Sequence, residues 1–320
     1  MSFTNTVLIT GGTTGLGFQC ALTIARAHPE FLIVITARTD SNSAAATINK
    51  TLRQKNVVFL PIDLSNIATV RSFVKDWETK KYPSICTLLL NAGLQFPEGL
   101  RKTVDGIEAT FGINHVGNTL LFYLLLPHLA KNVRVVVTSS GTHDPAQKSG
   151  LPDAKYTTAE ELAYPAPEAA QIDGRQRYAT SKLCNILWVY ALHRRFQAVE
   201  GTSMTVNAFD PGLMPGTGLA REYSAPMRFI WKNLMTRIIP LMRVLFHPNV
   251  HTPRESGETL AWLATNPNLE GASGGYYEGR KTIKSSVDSY NEKYQEDLWE
   301  WTVKFDAKSP EELSRFEKAN

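Results

Sequence analysis

The chain has 320 residues, of which 43% are hydrophobic and 20% are charged, and its formal net charge is +4. This composition is ordinary for a globular protein, and the length suits one large α/β domain or two small ones. The Lys and Arg residues are scattered without a basic stripe of interleaved aromatic residues, which argues against a nucleic-acid partner.

Export and metal-binding signals are missing from the sequence. The N-terminus lacks the charged leader and apolar core of a signal peptide, and no apolar stretch is long enough to cross a membrane. Cys20, Cys86 and Cys184 lie in apolar or helical contexts without metal-like spacing, as buried thiols do in a reducing compartment. We therefore expect a cytoplasmic protein without a metal site or an integral membrane segment.

Apolar runs of strand length alternate with helical stretches along the chain. Strands are predicted at residues 7–9, 31–37, 57–62, 87–90, 134–138, 205–209 and 275–277. Helices are predicted at residues 18–25, 67–77, 104–129, 175–196, 253–264 and 286–301. Nearly continuous apolar strands separated by helices predict a parallel sheet covered on both faces. The expected fold is a single-domain, doubly wound (Rossmann) α/β structure over residues 1–320, with about seven strands.

A glycine-rich turn follows the first strand directly and leads into the first helix. Glycine lets the backbone turn tightly and approach phosphate groups, and the helix N-terminus offers free N–H groups. A flexible surface loop is the alternative interpretation, but the flanking strand and helix favour a dinucleotide-binding turn. Its predicted cofactor-binding residues are Gly11, Thr13, Thr14, Gly15, Leu16 and Gly17.

The end of the second strand bears on the choice of cofactor. NAD recognition places an acidic residue there, but this strand ends at Ala37 and is followed by Arg38. Because a guanidinium suits a bidentate contact with a 2′-phosphate, NADP(H) is favoured over NAD(H). Asp63 and Leu64, which follow the third strand, are expected beside the adenine.

Two further candidates come from the fourth strand and the helix after it. Asn91, Ala92 and Gly93 close the strand, where small residues would let a cofactor lie against the strand end; a simple Asn-Gly-type turn is the alternative. Asn114 lies within an otherwise apolar helix, and its buried amide must find partners. Either the backbone satisfies it, or it holds a water that passes protons to Lys182.

Candidate catalytic residues follow the fifth strand and begin the long helix at 175–196. Ser140 lies at the carboxyl end of its strand, where a hydroxyl can hydrogen-bond a substrate carbonyl, although turn chemistry is the alternative. Tyr178 and Lys182 stand four residues apart on one helix face. We expect the ammonium to lower the pKa of the phenol and make it a usable proton donor. Tyr277 and Lys281 repeat the spacing, but glycines around them argue against a helix.

Two segments interrupt the alternation of strands and helices. Residues 142–177 are polar and predict a long loop with one short helix at 158–162. Residues 213–251 open with proline and glycine and then become strongly apolar. This second segment is interpreted as an extra helix pair packed on the core, as a mobile lid over a bulky apolar substrate, or as a surface that docks on a membrane.

The ordered set of motifs resembles the short-chain dehydrogenase/reductase family over about residues 5–300. The resemblance implies that Ser140 polarises a carbonyl, that Tyr178 donates a proton, and that Lys182 binds the nicotinamide ribose. It also implies that Asn114 anchors a relay water. Pro211 and Gly212 would pass beside the nicotinamide, and Thr217 would touch its carboxamide or the phosphates.

The C-terminal half is similar to the retinol dehydrogenase and protochlorophyllide reductase branch, through residues 217–222 and 252–257. We expect an NADPH-dependent reductase that transfers hydride to a carbonyl, or to an activated C=C bond, of a medium-to-large apolar or aromatic small molecule. The alternatives are a peripheral membrane enzyme that oxidises lipid-like alcohols and a non-catalytic NADP-binding regulator. The faces of helices 104–129 and 175–196 are expected to pair subunits if a homodimer forms.

Overall fold

The computed structural model describes residues 3–201 and 203–319, which contain one eight-stranded sheet in the order β3-β2-β1-β4-β5-β6-β7-β8. Strands β1 to β7 pair in parallel, and β8 pairs with β7 in antiparallel. The strands are β1 Asn5–Thr10, β2 Phe31–Ala37, β3 Val57–Pro61, β4 Ile85–Leu90, β5 Leu129–Thr138, β6 Thr205–Asp210, β7 Tyr276–Glu278 and β8 Lys281–Ile283.

Helices cover both faces of the sheet. The α-helices are α1 Gly15–Ala27, α2 Ala44–Leu52, α3 Ile67–Lys80, α4 Ala109–Phe111, α5 Gly117–Leu125, α6 Ala159–Ala163, α7 Gly174–Ala198, α8 Ala225–Phe229, α9 Ile239–Leu245, α10 Pro253–Thr265, α11 Glu292–Asp306 and α12 Pro310–Lys318. Gly112–Val116 and Ile230–Leu234 are π-helical, and 3₁₀ turns occur at Leu126–His128, Gly141–His143, Pro145–Gln147, Pro167–Gln171, Gly218–Glu222, Met235–Arg237, Pro267–Leu269 and Val287–Tyr290.

Alternate side chains of each central strand enter two different cores. In β1, Leu8 packs with residues of α3, α5, α7 and α11. Its neighbours Val7 and Ile9 point to the opposite face and pack with α1, α2 and α10. This alternation is the two-residue period of a strand buried on both faces. It confirms the predicted doubly wound fold.

The sheet contains one strand more than predicted. Strand β8 was missed because it is short and its side chains are mostly exposed. It returns along β7 after a turn at Gly279, where φ is +57°. The predicted helix at 104–129 was wrong at both ends. A turn occupies residues 104–106, the π-helical turn Gly112–Val116 interrupts the helix, and β5 already begins at Leu129.

Other differences lie at helix ends and in the long loop. The helix predicted at 286–301 begins at Glu292, because Asn291 caps it by accepting a hydrogen bond from the Lys293 N–H at 3.0 Å. Helices α2 and α12 were missed. The loop at 142–177 holds the predicted short helix as α6 and is anchored in the core by buried Tyr156, whose hydroxyl donates to Asp297 at 2.6 Å.

Residues 213–251, which we call the lid segment, leave the sheet after β6 and return before α10. A parallel bridge between Leu213 and Val250 closes the base of the segment. Between these ends lie α8, α9, the π-helical turn Ile230–Leu234 and two 3₁₀ turns. Neither these helices nor any other in the described part of the chain is long and apolar enough to span a membrane.

Candidate active site

A cavity of about 940 Å³ lies at the carboxyl ends of β1 to β6 and extends beneath the lid segment. It is lined by all but two of the predicted site residues, namely Gly11, Thr14, Gly15, Leu16, Gly17, Arg38, Asp63, Leu64, Asn91, Ala92, Gly93, Ser140, Tyr178, Lys182, Pro211, Gly212 and Thr217. Thr13 and Asn114 do not line the cavity. In open α/β sheets this edge is where ligands bind.

The glycine-rich turn presents an uncapped helix N-terminus to the cavity. Thr14 is the N-cap residue of α1, but its side chain caps no backbone N–H, and the first turn carries no acidic residue. Gly11 has a φ of +69°, and a Cβ there would lie 3.1 Å from the Cα of Ala92. Free N–H groups and a close backbone approach suit the pyrophosphate of a dinucleotide.

Asn91 joins the ends of three neighbouring strands. Its side-chain N–H₂ donates to the Thr10 carbonyl at 3.0 Å, and its Oδ1 accepts from the Thr138 hydroxyl at 3.2 Å. The backbone N–H of Asn91 also donates to the Thr10 hydroxyl at 2.9 Å. Asn91 therefore fixes the floor of the cavity where the predicted cofactor would lie.

Tyr178 and Lys182 lie on one face of α7, as predicted, and both are buried. The Lys182 ammonium lies 5.5 Å from the centroid of the Tyr178 ring and donates to the Thr138 carbonyl at 3.0 Å. A Cβ on Gly93 would lie 3.2 Å from Nζ of Lys182. The absence of a side chain at Gly93 thus leaves room for the ammonium.

The prediction that Lys182 lowers the pKa of Tyr178 was wrong for this structure. Burial raises the pKa of Tyr178, the Asp210 carboxylate raises it further, and the Ser140 hydroxyl opposes both. Burial also lowers the pKa of Lys182 to about 8, while Asp210 opposes that change. Desolvation therefore dominates, and Tyr178 is held as the neutral phenol.

Asn114 lies in the π-helical turn and is satisfied mainly by backbone. Its Oδ1 accepts from the Leu94 N–H at 2.8 Å, and its Nδ2 donates to the Leu94 carbonyl at 2.9 Å and to the Ser181 hydroxyl at 3.0 Å. Of the two predicted alternatives, these contacts agree with the one in which the backbone satisfies the buried amide. The hydrogen bond to Ser181 also connects the amide to α7, next to Lys182.

The second Tyr-Lys pair with the same spacing is not helical. Tyr277 lies in β7 and Lys281 in β8, where Tyr277 faces Thr282 across the hairpin. This arrangement confirms that the spacing alone did not identify the site.

Asp210 is a buried residue of this site that the sequence analysis missed. It ends β6, lines the cavity and is 2% exposed. Its Oδ1 accepts from the Gly212 N–H and its Oδ2 from the Asn249 side chain, both at 2.9 Å. The sequence signal that could have indicated Asp210 is its position at a strand end, directly before Pro211 and Gly212. A carboxylate buried at such a place needs hydrogen-bond partners.

His143 holds the backbone of Ser140 in place. Its Nδ1 lies 2.7 Å from the Ser140 carbonyl, and its Nε2 accepts from the Ser286 N–H at 3.0 Å. Because a backbone N–H can only donate, Nε2 is unprotonated and Nδ1 carries the proton. Burial lowers the pKa of His143, which favours this neutral form.

Arg221 brings a second guanidinium to the cavity beside Arg38. Burial lowers the pKa of Arg221 and the nearby charge of Arg38 lowers it further. Both side chains line the cavity. Asp40, the first acidic residue after β2, is engaged elsewhere, because it accepts from the Ala44 N–H at the start of α2 at 2.7 Å. The sequence could not indicate Arg221, which lies far along the chain.

Several known proteins are similar to this chain. Residues 5–152 match the family model described as short chain dehydrogenase. Polyprenol dehydrogenase of Homo sapiens is 33% identical over 299 residues, covering 91% of this chain and 82% of that protein. Retinol dehydrogenase 14 of Homo sapiens is 30% identical over 311 residues, covering 92% and 84%. Protochlorophyllide reductase of Daucus carota is 29% identical over 309 residues, covering 89% and 73%.

A solved structure extends the likeness to the whole fold. An uncharacterized protein from Mycobacterium paratuberculosis superimposes with a TM-score of 0.68 at 25% identity, covering 95% of this chain and 94% of that one. These relatives confirm the predicted similarity to the retinol dehydrogenase and protochlorophyllide reductase branch. With identity of this extent along most of both chains, the protein belongs to the short-chain dehydrogenase/reductase family of oxidoreductases.

Proposed function

We propose that the protein is an NADP(H)-dependent oxidoreductase that interconverts an alcohol and a carbonyl on a large apolar molecule. The observation that carries this proposal is the shared cavity, in which Tyr178, Lys182 and Ser140 lie between the dinucleotide-binding turn and the lid segment. Residues 213–251 are proposed to be the substrate lid of a single domain that spans residues 1–320.

The pair of guanidiniums supports NADP(H) over NAD(H). Arg38 and Arg221 repel each other without an anion between them, and the dianionic 2′-phosphate would remove that repulsion. The carboxylate of Asp40 is occupied as a helix cap and is a poor partner for a ribose hydroxyl. The cofactor supplies the hydride, or accepts it, at its nicotinamide ring.

The proposed proton transfer rests on the protonation states at the end of β5. Tyr178 is held as a phenol, so it can donate its proton to a carbonyl oxygen as that oxygen gains negative charge. Ser140 would hydrogen-bond the same oxygen, and Lys182 would stabilise the phenolate left behind. In the reverse direction the phenolate would accept the alcohol proton. The relay water at Asn114 stays a prediction.

The lid segment supports an apolar substrate. Five of its side chains line the far end of the cavity with aromatic and aliphatic surface, namely Trp231, Met235, Ile238, Met242 and Phe246. Sites for apolar small molecules have this character, with a few polar groups at the reacting end. The polyprenol and retinol named in two relatives are long apolar alcohols. The second proposed hydride acceptor is an activated C=C bond of an apolar molecule in the same cavity.

The two helix faces expected to pair subunits are covered within the chain. Tyr123 of α5 stacks on Phe316 of α12 at 4.9 Å between ring centroids and meets Trp299 of α11 edge-on. Trp299 also stacks on Trp188 of α7. Because α11 and α12 cover these faces, we withdraw the expectation that they form a dimer.

The three free thiols support the proposed cytoplasmic location.

The test is turnover of purified protein with NADPH and a series of apolar aldehydes, and with NADP⁺ and the matching alcohols. We expect long substrates to react faster than short ones. Tyr178→Phe should still bind NADPH, measured by nicotinamide fluorescence, but should lose turnover by about 10²–10⁴-fold. Tyr277→Phe is the matched control and should be fully active.

Two results would overturn the proposal. Substantial turnover by Tyr178→Phe would remove Tyr178 from proton transfer. Tight NADPH binding by the native protein without oxidation or reduction of any substrate would instead support a non-catalytic NADP-binding regulator.

A further inference from the structure

The lid segment has two faces of different exposure. In α9, Ile239 and Met242 are each 5% exposed and pack inward, whereas Val244 is 82% and Leu245 is 66% exposed. The preceding turns repeat this division, because Trp231 and Met235 line the cavity while Phe229 is 68% exposed. We call the exposed apolar residues the outer lid face, which consists of Met227, Phe229, Ile230, Leu234, Leu241, Val244, Leu245 and Phe246.

Exposed apolar side chains are concentrated on this one segment. Of the 14 large hydrophobic residues that are exposed in the described part of the chain, nine lie between Leu213 and Phe246. Single exposed apolar residues are normal, but a cluster of this kind marks a surface that binds a partner or a membrane.

From Tyr223 onward, the charged residues of the lid segment are all basic. The sequence from Tyr223 to Arg254 contains no Asp or Glu. Arg228, Lys232 and Arg237 are exposed between the apolar residues. Such an arrangement complements an anionic lipid surface, in which apolar side chains enter the headgroup boundary and cations meet lipid phosphates and carboxylates.

The outer lid face is continuous with the mouth of the cavity. Phe246 both lines the cavity and is 80% exposed, and it follows directly after exposed Val244 and Leu245. A substrate that leaves a lipid phase at this face would therefore enter the cavity without crossing water. Transfer from lipid avoids exposing a long apolar molecule to the aqueous phase.

We propose that the outer lid face docks the protein reversibly on an anionic lipid bilayer and places the cavity mouth at the lipid surface. The route of the substrate from that surface rests on the proposed function. The docking itself does not, since it depends only on the exposed apolar and basic side chains.

Co-sedimentation of the full chain with vesicles tests the docking. Vesicles of phosphatidylcholine with about one third phosphatidylserine should bind the protein, and pure phosphatidylcholine vesicles should bind it much less. Binding should weaken as salt is raised. The variant with Arg228→Gln, Lys232→Gln and Arg237→Gln, and the variant with Val244→Ser and Leu245→Ser, should each reduce binding about tenfold or more.

Val287→Ser is the matched control, because Val287 is 88% exposed but lies outside the lid segment. It should bind vesicles as the native protein does. All variants should unfold at the same temperature as the native protein, since the substituted side chains are exposed.

The results separate the docking from the enzymatic proposal. Vesicle binding that is lost in both lid variants supports docking, whether or not a substrate has been found. Equal sedimentation of native protein and lid variants would overturn it, and so would no binding to either vesicle type. A dimer that the two apolar substitutions dissociate, in a protein that ignores vesicles, would assign this face to a second copy of the chain.

Discussion

Asp210 and Asn249 form a buried hydrogen bond that joins the end of β6 to the far end of the lid segment. Oδ2 of Asp210 accepts from Nδ2 of Asn249 at 2.9 Å. Its Oδ1 accepts from the N–H of Gly212, directly before the segment begins. One carboxylate therefore holds both ends of the lid, while its charge raises the pKa of Tyr178.

Replacing Asp210 should move the pH dependence of catalysis. In Asp210→Asn the negative charge that raises the pKa of Tyr178 is lost, so this pKa should fall relative to the native protein. In the proposed mechanism, alcohol oxidation requires the phenolate, so its rate should begin to rise at lower pH. Carbonyl reduction would require the phenol, so its decline at high pH should also begin at lower pH. The measurement is kcat against pH in both directions.

Asn249→Ala serves as the control for this shift. It removes the hydrogen bond at the base of the lid but keeps the carboxylate, so the pH at which kcat changes should stay where it is in the native protein. KM for the apolar substrate should rise, because the lid is held less firmly. A shift of Asp210→Asn toward higher pH would contradict the proposed effect of the charge.

Arg38 and Arg221 should together determine the preference for NADPH. Arg38→Ala and Arg221→Ala should each raise KM for NADPH about tenfold or more, the usual effect of losing a hydrogen bond between charged groups. KM for NADH should change little, since NADH lacks the 2′-phosphate. Arg38→Asp should shift the preference toward NADH.

Arg280→Ala is a suitable control for the loss of one positive charge. Arg280 lies over the Trp262 ring at 5.6 Å and does not line the cavity. Equal losses of NADPH affinity in Arg280→Ala and Arg221→Ala would show that overall charge, and not a phosphate site, is responsible.

The parts of the fold that local sequence patterns determine were predictable. The strand at Phe31–Ala37 was predicted with its observed ends, because a continuous apolar run bounded by polar residues determines where it starts and stops. The interruption at Gly112–Val116 was not, since a π-helical turn has the same apolar content as the helix around it. Strand β8 depends on pairing with β7, which no local pattern shows.

The candidate site was predictable where its residues follow strands or share a helix face. Ser140, Tyr178 and Lys182 are of this kind. Arg221, Asn249 and Ser286 reach the site from distant parts of the chain, so only the fold brings them there. The direction of the Tyr178 pKa was also beyond the sequence, because it depends on burial and on the position of Asp210.

Gly17 should tolerate no side chain, because a Cβ there would overlap the carbonyl oxygen of Gly11. In Gly17→Ala, α1 must shift away from the glycine-rich turn, at a cost of about 1–3 kcal/mol in the free energy of unfolding. NADPH affinity should fall at least tenfold, because the helix N-terminus no longer meets the pyrophosphate.

Gly218→Ala gives the comparison for Gly17→Ala. The nearest atom to a Cβ on Gly218 is Nη1 of Arg221, at 4.0 Å. This variant should therefore keep native stability and NADPH affinity, measured by thermal unfolding and by fluorescence titration. If both variants bind NADPH equally well, the turn does not hold the pyrophosphate.

His143 should act as a positioning residue for Ser140. His143→Ala removes the donor to the Ser140 carbonyl and leaves the Ser286 N–H without its partner, so the free energy of unfolding should fall by about 1–3 kcal/mol. Because Ser140 would no longer be fixed opposite Tyr178, kcat should fall about tenfold while NADPH affinity is retained.

His115→Ala tests whether lost stability alone explains this loss of kcat. His115 is equally buried and hydrogen-bonds Thr302 at 3.0 Å, away from the cavity. A comparable loss of kcat in His115→Ala would show that His143 has only a structural role.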